Sequence, residues 1–270
     1  DGVEDPRRDS NVSTYVAVGA WHHWKVTADV GFLDHTFPMV ERAVDFALGL
    51  QQPGGEVLWC YEPDDGRPGE FALLTGSSSV LLSLRCAIAL AAARGLERPE
   101  WELSALGLSS AIATREQHAF ADKSRWAMDW YYPVICGALT DEAAGRRMDE
   151  RWDQFVLPGF GVRCLHDSEW ITAAETAECV LALDAAGRSD DARRLMTWVQ
   201  FLREADGSYW TGSVQPDDVR FPAGERSSYS AAAMVLAWDA LAGVTPASGL
   251  FRGEGLPAVA RVEPLSPEMD

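Results

Sequence analysis

Two kinds of helical pattern alternate along the chain, joined by long polar loops. In the first kind apolar positions recur every three to four residues over 37–51 (FPMVERAVDFALGLQ), 100–117, 141–155 and 190–204, which predicts helices with one buried and one solvated face. The second kind is small and apolar nearly all round, as in LLTGSSSVLLSLRCAIALAAA, and predicts helices buried on every side. Inner helices of this sort are expected at 13–26, 73–94, 124–139, 170–186 and 228–242. Residues 1–12 read as loop, the Pro- and Gly-bearing tail 243–270 as a coil closing over the body, and strands as nearly absent.

The repeating unit is amphipathic helix, long loop, buried helix and short turn, with a period of about 45 to 55 residues. A helix pair of this kind cannot bury its apolar face alone, so the pairs must stack or close into a ring. Two correspondences support repetition. Val3, Pro6 and Asp9 before the first inner helix match the spacing of Val219, Pro222 and Glu225 before the last, and GGEVLW before Cys60 parallels ADGSYW before Thr211. Five inner helices and a start inside a loop imply one more inner helix and the first outer helix upstream of residue 1. The expected fold is therefore all-α, an (α/α)6 toroid, with 1–270 an N-terminally incomplete single domain.

Composition narrows the partners. A length of 270 residues with 47 % hydrophobic content suffices for a large core, and nothing demands a second domain. The net charge of -18 and pI near 4.6 oppose nucleic acid, whose binding relies on Lys and Arg displacing counterions, and favour neutral or cationic substrates. No apolar run is expected to span a membrane, DGVEDPRRDS lacks the features of a signal peptide, and the cytoplasm is the default location. Cys60, Cys86, Cys136, Cys164 and Cys179 show no CxxC spacing and read as reduced, buried thiols. Neither a metal nor a cofactor is expected: His22 and His23 form no HxxxH or HExxH motif, and Asp64, Asp65, Asp217 and Asp218 sit in Pro- and Gly-bearing turns. Gly-rich phosphate loops, GxSxG elbows and Cys-His signatures are absent.

Candidate chemistry concentrates in LHDSEWITAAETAEC, residues 165–179. His166, Asp167 and Glu169 precede an inner helix that Ser168 or Asp167 can cap, with Thr172 and Glu175 as a capping-box pair. A carboxylate at a helix N-terminus has a lowered pKa, which suits Asp167 as base or nucleophile; a plain cap is the competing reading. In RWAMDWYY, Asp129 lies among Trp126, Trp130 and Tyr131, where the rings can raise its pKa towards a general acid, or it can pair with Arg125. Trp59, Tyr61 and Trp170 can pack the repeat or line a cleft, and Arg163 and His166 stand ready as charge or hydroxyl partners. Asp9, Glu62 and Glu225 are further carboxylates on the same rim.

The helix-then-Gly-x-x-Trp units resemble the repeats of squalene-cyclase and prenyltransferase toroids. Their chemistry is not visible: Asp64-Asp65 and Asp217-Asp218 lack the first Asp of a DxDD cluster, and no prenyltransferase zinc set occurs. Over essentially its whole length the chain more closely resembles an actinobacterial group of six-hairpin toroid proteins encoded with sugar transferases and methyltransferases. That resemblance implies hydrolysis of methylmannose polysaccharide or its α-1,4-linked mannoside precursors, and an upstream inner helix opening with its own Asp-rich, Trp-containing motif.

Together these readings give a glycoside hydrolase on α-linked mannosides that needs only two carboxyl groups. Asp167 is the first catalytic candidate, with Asp129 and Glu169 beside it or a second carboxylate upstream. Trp126, Trp130, Tyr131, Trp59, Tyr61, Trp170, Arg163 and His166 are the expected sugar-binding set, with an oligosaccharide or polysaccharide as partner. A terpene cyclase and a non-catalytic carbohydrate- or protein-binding toroid are the alternatives on the same fold.

Overall fold

The computed structural model describes residues 5–62 and 66–258, so the expectations placed on Val3, Asp64, Asp65 and the last part of the tail lie outside the described residues. In chain order the elements are β1 (Arg8–Asp9), α1 (Ser10–Thr14), α2 (Val16–Thr27), α3 (Val30–Leu48), β2 (Cys60–Glu62), β3 (Arg67–Pro68), α4 (Leu74–Ala93), α5 (Pro99–Thr114), α6 (Glu116–Ala119) and α7 (Met128–Ile135). There follow α8 (Asp141–Glu150), α9 (Trp152–Phe155), β4 (Val156–Leu157), β5 (Gly161–Val162), β6 (Trp170–Thr172), α10 (Ala173–Ala185), α11 (Ser189–Trp198), β7 (Gly212–Val214), β8 (Val219–Arg220) and α12 (Ser228–Ala242).

Helices dominate, and the two helical patterns separate into two layers. The inner series packs in chain order, α2 on α4, α4 on α7, α7 on α10 and α10 on α12, while α3, α5, α8 and α11 lie outside it. In α4 buried Ser77, Ser78, Ser79 and Ser83 let neighbouring backbones approach, and the Ser83 hydroxyl returns to Ser79 O at 2.8 Å. One hydrophobic cluster runs through all the inner helices, from Ala17 to Phe251. At the two ends of the series Val12, Val26, Val235 and Trp238 remain exposed.

Contrary to the expectation of an almost strand-free chain, the loops entering the inner helices pair, among the described residues, into three small antiparallel sheets, ordered β1-β2-β3, β4-β5 and β6-β7-β8. Trp170–Thr172, expected to open a helix, is strand β6, paired with Gly212–Val214 of β7. Its Ile171 and Thr172 are β-branched and favour that conformation. The helix expected over 124–139 shortens to the eight residues of α7, because Trp126 bridges to Leu165 and Gly137 turns with φ of 78°. Of the paired Gly turns, Gly55 has φ of 98° and Gly207 of 90°; a Cβ on Gly55 would lie 2.2 Å from Gly107 O, so α5 packs there only against glycine.

α4 also has the length and hydropathy of a membrane span, which the sequence reading did not anticipate, but 89 % of that window is buried among its neighbours. All five cysteines are free and buried. In the described part of the tail Leu250 and Phe251 are buried, Arg252 reaches Asp184, and Pro257 O accepts from buried Arg85 at 3.2 Å.

Candidate active site

The centre of the site comes from α10. Thr172, with extended backbone, caps this helix by accepting from the Glu175 amide at 3.1 Å, while its hydroxyl bonds the Glu175 carboxylate. The cap is therefore Thr172, and β6 separates Asp167 from the helix. One turn on, Glu178 is 8 % exposed on a helix whose other residues at that depth are small and apolar. Three phenols satisfy it: Tyr131 donates to Oε2 at 2.7 Å, Tyr132 to Oε1 at 2.9 Å, and Tyr229 of α12 also to Oε1. Burial raises the Glu178 pKa to about 7; the negative charge of Glu175 adds to that rise and the phenol hydrogen bonds oppose it. Burial, and then the charge of Glu178, push the phenol of Tyr15 upward too. A carboxyl poised near neutrality among hydroxyls can deliver a proton and take one back.

A second acid stands on the first turn of α7. Asp129 is 6 % exposed, its Oδ1 accepts from the Thr75 hydroxyl at 2.6 Å, and desolvation by burial raises its pKa. It lines a cavity of about 650 Å³ bounded by α5, α6, α8 and the 120–124 loop, which Glu178 does not line. Arg147 in that wall pairs in bidentate fashion with Glu116 at 2.8 and 2.9 Å and donates to the carbonyls of Trp130 and Asp129, both at 2.9 Å.

The remaining expected residues scatter. Asp167 lies in the turn before β6, where both carboxylate oxygens accept from Arg125 Nε at 2.9 and 3.0 Å; this hydrogen bond lowers its pKa. Arg125 thus pairs with Asp167 and not with Asp129. Glu169 is held by Arg163 at 3.0 Å and is half exposed. His166 is exposed, its ring 6.2 Å from Phe155. Trp126 is 41 % exposed and free to face a ligand. Trp130, expected as a sugar platform, is fully buried, stacked on Phe155 at 5.6 Å with its indole N–H on Arg147 O; Tyr131 is fully buried as well. Those two rings hold the core and Glu178, because aromatic density at an inner helix start serves packing first. Trp59 is enclosed between Arg7, 4.6 Å from the ring, and Phe71 at 5.5 Å, and its N–H binds Asp9 at 2.6 Å. Tyr61 sits half-buried in β2. Trp170 donates to Phe221 O at 3.1 Å. Asp9 caps α1, Glu62 accepts from Cys60 Sγ at 3.3 Å, and Glu225 from the Thr211 hydroxyl at 2.8 Å. Among the described residues no group of three or more His, Cys, Asp or Glu is placed to hold a metal.

Sequence comparison decides the family. The chain is 49 % identical over 255 residues to the MMP endo-(1,4)-3-O-methyl-alpha-D-mannosidase of Mycolicibacterium hassiacum, an alignment covering 94 % of this chain and 70 % of the relative. The chain belongs to this family of glycoside hydrolases. No family model matches the sequence. Among solved structures, a sugar epimerase from a ruminal bacterium superposes with a TM-score of 0.62 at 10 % identity, over 88 % of this chain and 71 % of that one, a likeness of fold alone. The phenol-ringed Glu178 is a candidate that the sequence reading did not single out. Its signal was a charged residue in the middle of a helix apolar on every side, a placement that persists only with dedicated partners.

Proposed function

We propose that the protein is an endo-acting hydrolase of α-1,4-linked, 3-O-methylated mannosides, and that Glu178 is its general acid. The observation that carries the assignment is a nearly buried carboxyl, raised to about 7, ringed by Tyr131, Tyr132 and Tyr229. In glycoside hydrolysis one carboxylic acid gives its proton to the glycosidic oxygen as the C1–O bond breaks, and a second carboxylate either draws a proton from water or attacks C1. Glu178 in its protonated form supplies the first role. Tyr229, 53 % exposed, stands between it and solvent, where a sugar hydroxyl can replace its hydrogen bond.

The second carboxylate is sought among three residues. Glu175 lies one turn nearer the mouth than Glu178 on the same helix, where residues three apart are about 5 to 6 Å apart at Cβ. Asp167 and Glu169 are acids the sequence pattern singled out, and both are committed to arginines, which suits a charged base and opposes an acid. Asp129, the third acid of that pattern, lines a cavity that Glu178 does not and is set apart from the catalytic pair. The five inner helices fit five sixths of an α/α toroid, with its mouth at their N-termini.

The test is digestion of a panel of α-linked manno- and gluco-oligosaccharides, plain and 3-O-methylated, with product sizes read by mass. Internal cleavage of the methylated α-1,4-mannosides is expected; an intact panel contradicts the hydrolase reading for this chain. Asn or Gln variants of the three acids, run on the cleaved substrate, then assign the second role. If all three retain wild-type rates, none of them is the second carboxylate.

A further inference from the structure

The cavity beside α7 is separate from Glu178 and has its own chemistry. Its walls alternate charge and neutrality: Glu116, Asp122, Asp129 and Glu150 against Lys123, Arg147 and Arg151, with Phe120 supplying an apolar face. No sign of charge dominates, so neither an anion nor a cation is favoured; paired donors and acceptors around one ring are what a pyranose with many hydroxyls requires. Arg147 is locked by Glu116 and two backbone carbonyls, and Asp129 by Thr75. The polar groups are thus held in place before any ligand arrives. Asp129 is more than nine-tenths buried, and it meets the cavity while its Oδ1 is held by Thr75.

One helix joins this cavity to the proposed reaction centre. Asp129 lies on the first turn of α7, and Tyr131 and Tyr132, which hold Glu178, follow within three residues, about 5 Å along the axis. The cavity and the phenols that hold Glu178 are thus built on one short helix.

We infer that the cavity lined by Asp129, Lys123, Phe120 and Arg147 is a remote sugar-binding site, which grips mannosyl units of the substrate away from the bond that is cut and makes the enzyme select long chains. Asp129 in this role is a binding group that accepts sugar hydroxyls. The inference rests on the hydrolase reading above but has its own readout.

The experiment uses 3-O-methylated α-1,4-mannooligosaccharides of increasing length, from tetramer to dodecamer, with Asp129→Asn and the exposed Lys123→Ala variants. Expected is a rise in KM of about tenfold or more on the longest chains, kcat within about twofold, and no change on the shortest. Calorimetric titration of the same chains into Glu178→Gln, with and without Asp129→Asn, reads binding alone, so loss of length-dependent affinity is visible even if Glu178 proves not to be the acid. Equal loss at every length, a fall confined to kcat, or unchanged affinity in both variants would overturn the proposal. Should Asp129→Asn fail to fold, the Lys123→Ala result decides on the same criteria.

Discussion

The Tyr131 hydroxyl donates to Glu178 Oε2 at 2.7 Å, tying the second turn of α7 to the middle of α10 through two fully or nearly buried side chains. The bond favours the charged form of Glu178 and so works against burial, which favours the neutral one. Burial wins, leaving the carboxyl near 7. Since a general acid acts in its protonated form, kcat/KM is predicted to fall as pH rises through about 7. Tyr131→Phe removes one bond that lowers the pKa, so the alkaline limb should move upward by about one pH unit. Initial rates from pH 4 to 9 for both proteins check this.

The same shift has a consequence for stability. In the unfolded chain Glu178 titrates near its ordinary value of 4.5, in the folded one near 7. Between those values the folded state holds more protons, so its stability falls as pH rises from 4.5 to about 7 and is level above, a loss of about 3 kcal/mol from this group. Glu178→Gln lacks the titration. Urea unfolding at pH 4.5 and pH 8 should show the variant gaining on wild type at the higher pH.

Two tryptophans four residues apart should behave oppositely. Trp130 is stacked and fully buried, so Trp130→Ala is expected to cost about 3 to 5 kcal/mol. Trp126 is 41 % exposed, so Trp126→Ala should change stability by less than about 1 kcal/mol and weaken oligosaccharide binding if the ring faces substrate. Thermal unfolding and calorimetric titration separate the two.

Thr172→Ala removes the α10 cap and the hydroxyl that holds Glu175. A loss of about 1 kcal/mol is predicted, with reduced kcat/KM because α10 carries Glu178. Asp167→Asn, by contrast, breaks only an exposed pair with Arg125 and should leave the unfolding midpoint nearly unchanged.

The helices were legible because burial imposes a period: the all-apolar run of α4 and the capped, small-residue α12 lie within a residue or so of where the pattern puts them. The strands were not, since two- and three-residue pieces such as β6 and β7 carry no period and pair across some forty residues of sequence. At the site, aromatic density around Asp129 was read as a sugar cleft, while Trp130 and Tyr131 turned inward. Glu178 went unnoticed because Glu is an ordinary helix former; only its depth in the helix, which the three phenols reveal, sets it apart.

The most direct measurement is the rate of Glu178→Gln at pH 6 on a 3-O-methylated α-1,4-mannooligosaccharide that the wild type cuts, with products read by mass and binding by calorimetry. The account predicts a loss of at least about a hundredfold in kcat with affinity kept, in the range for removal of a general acid. Cleavage within tenfold of wild type would contradict it.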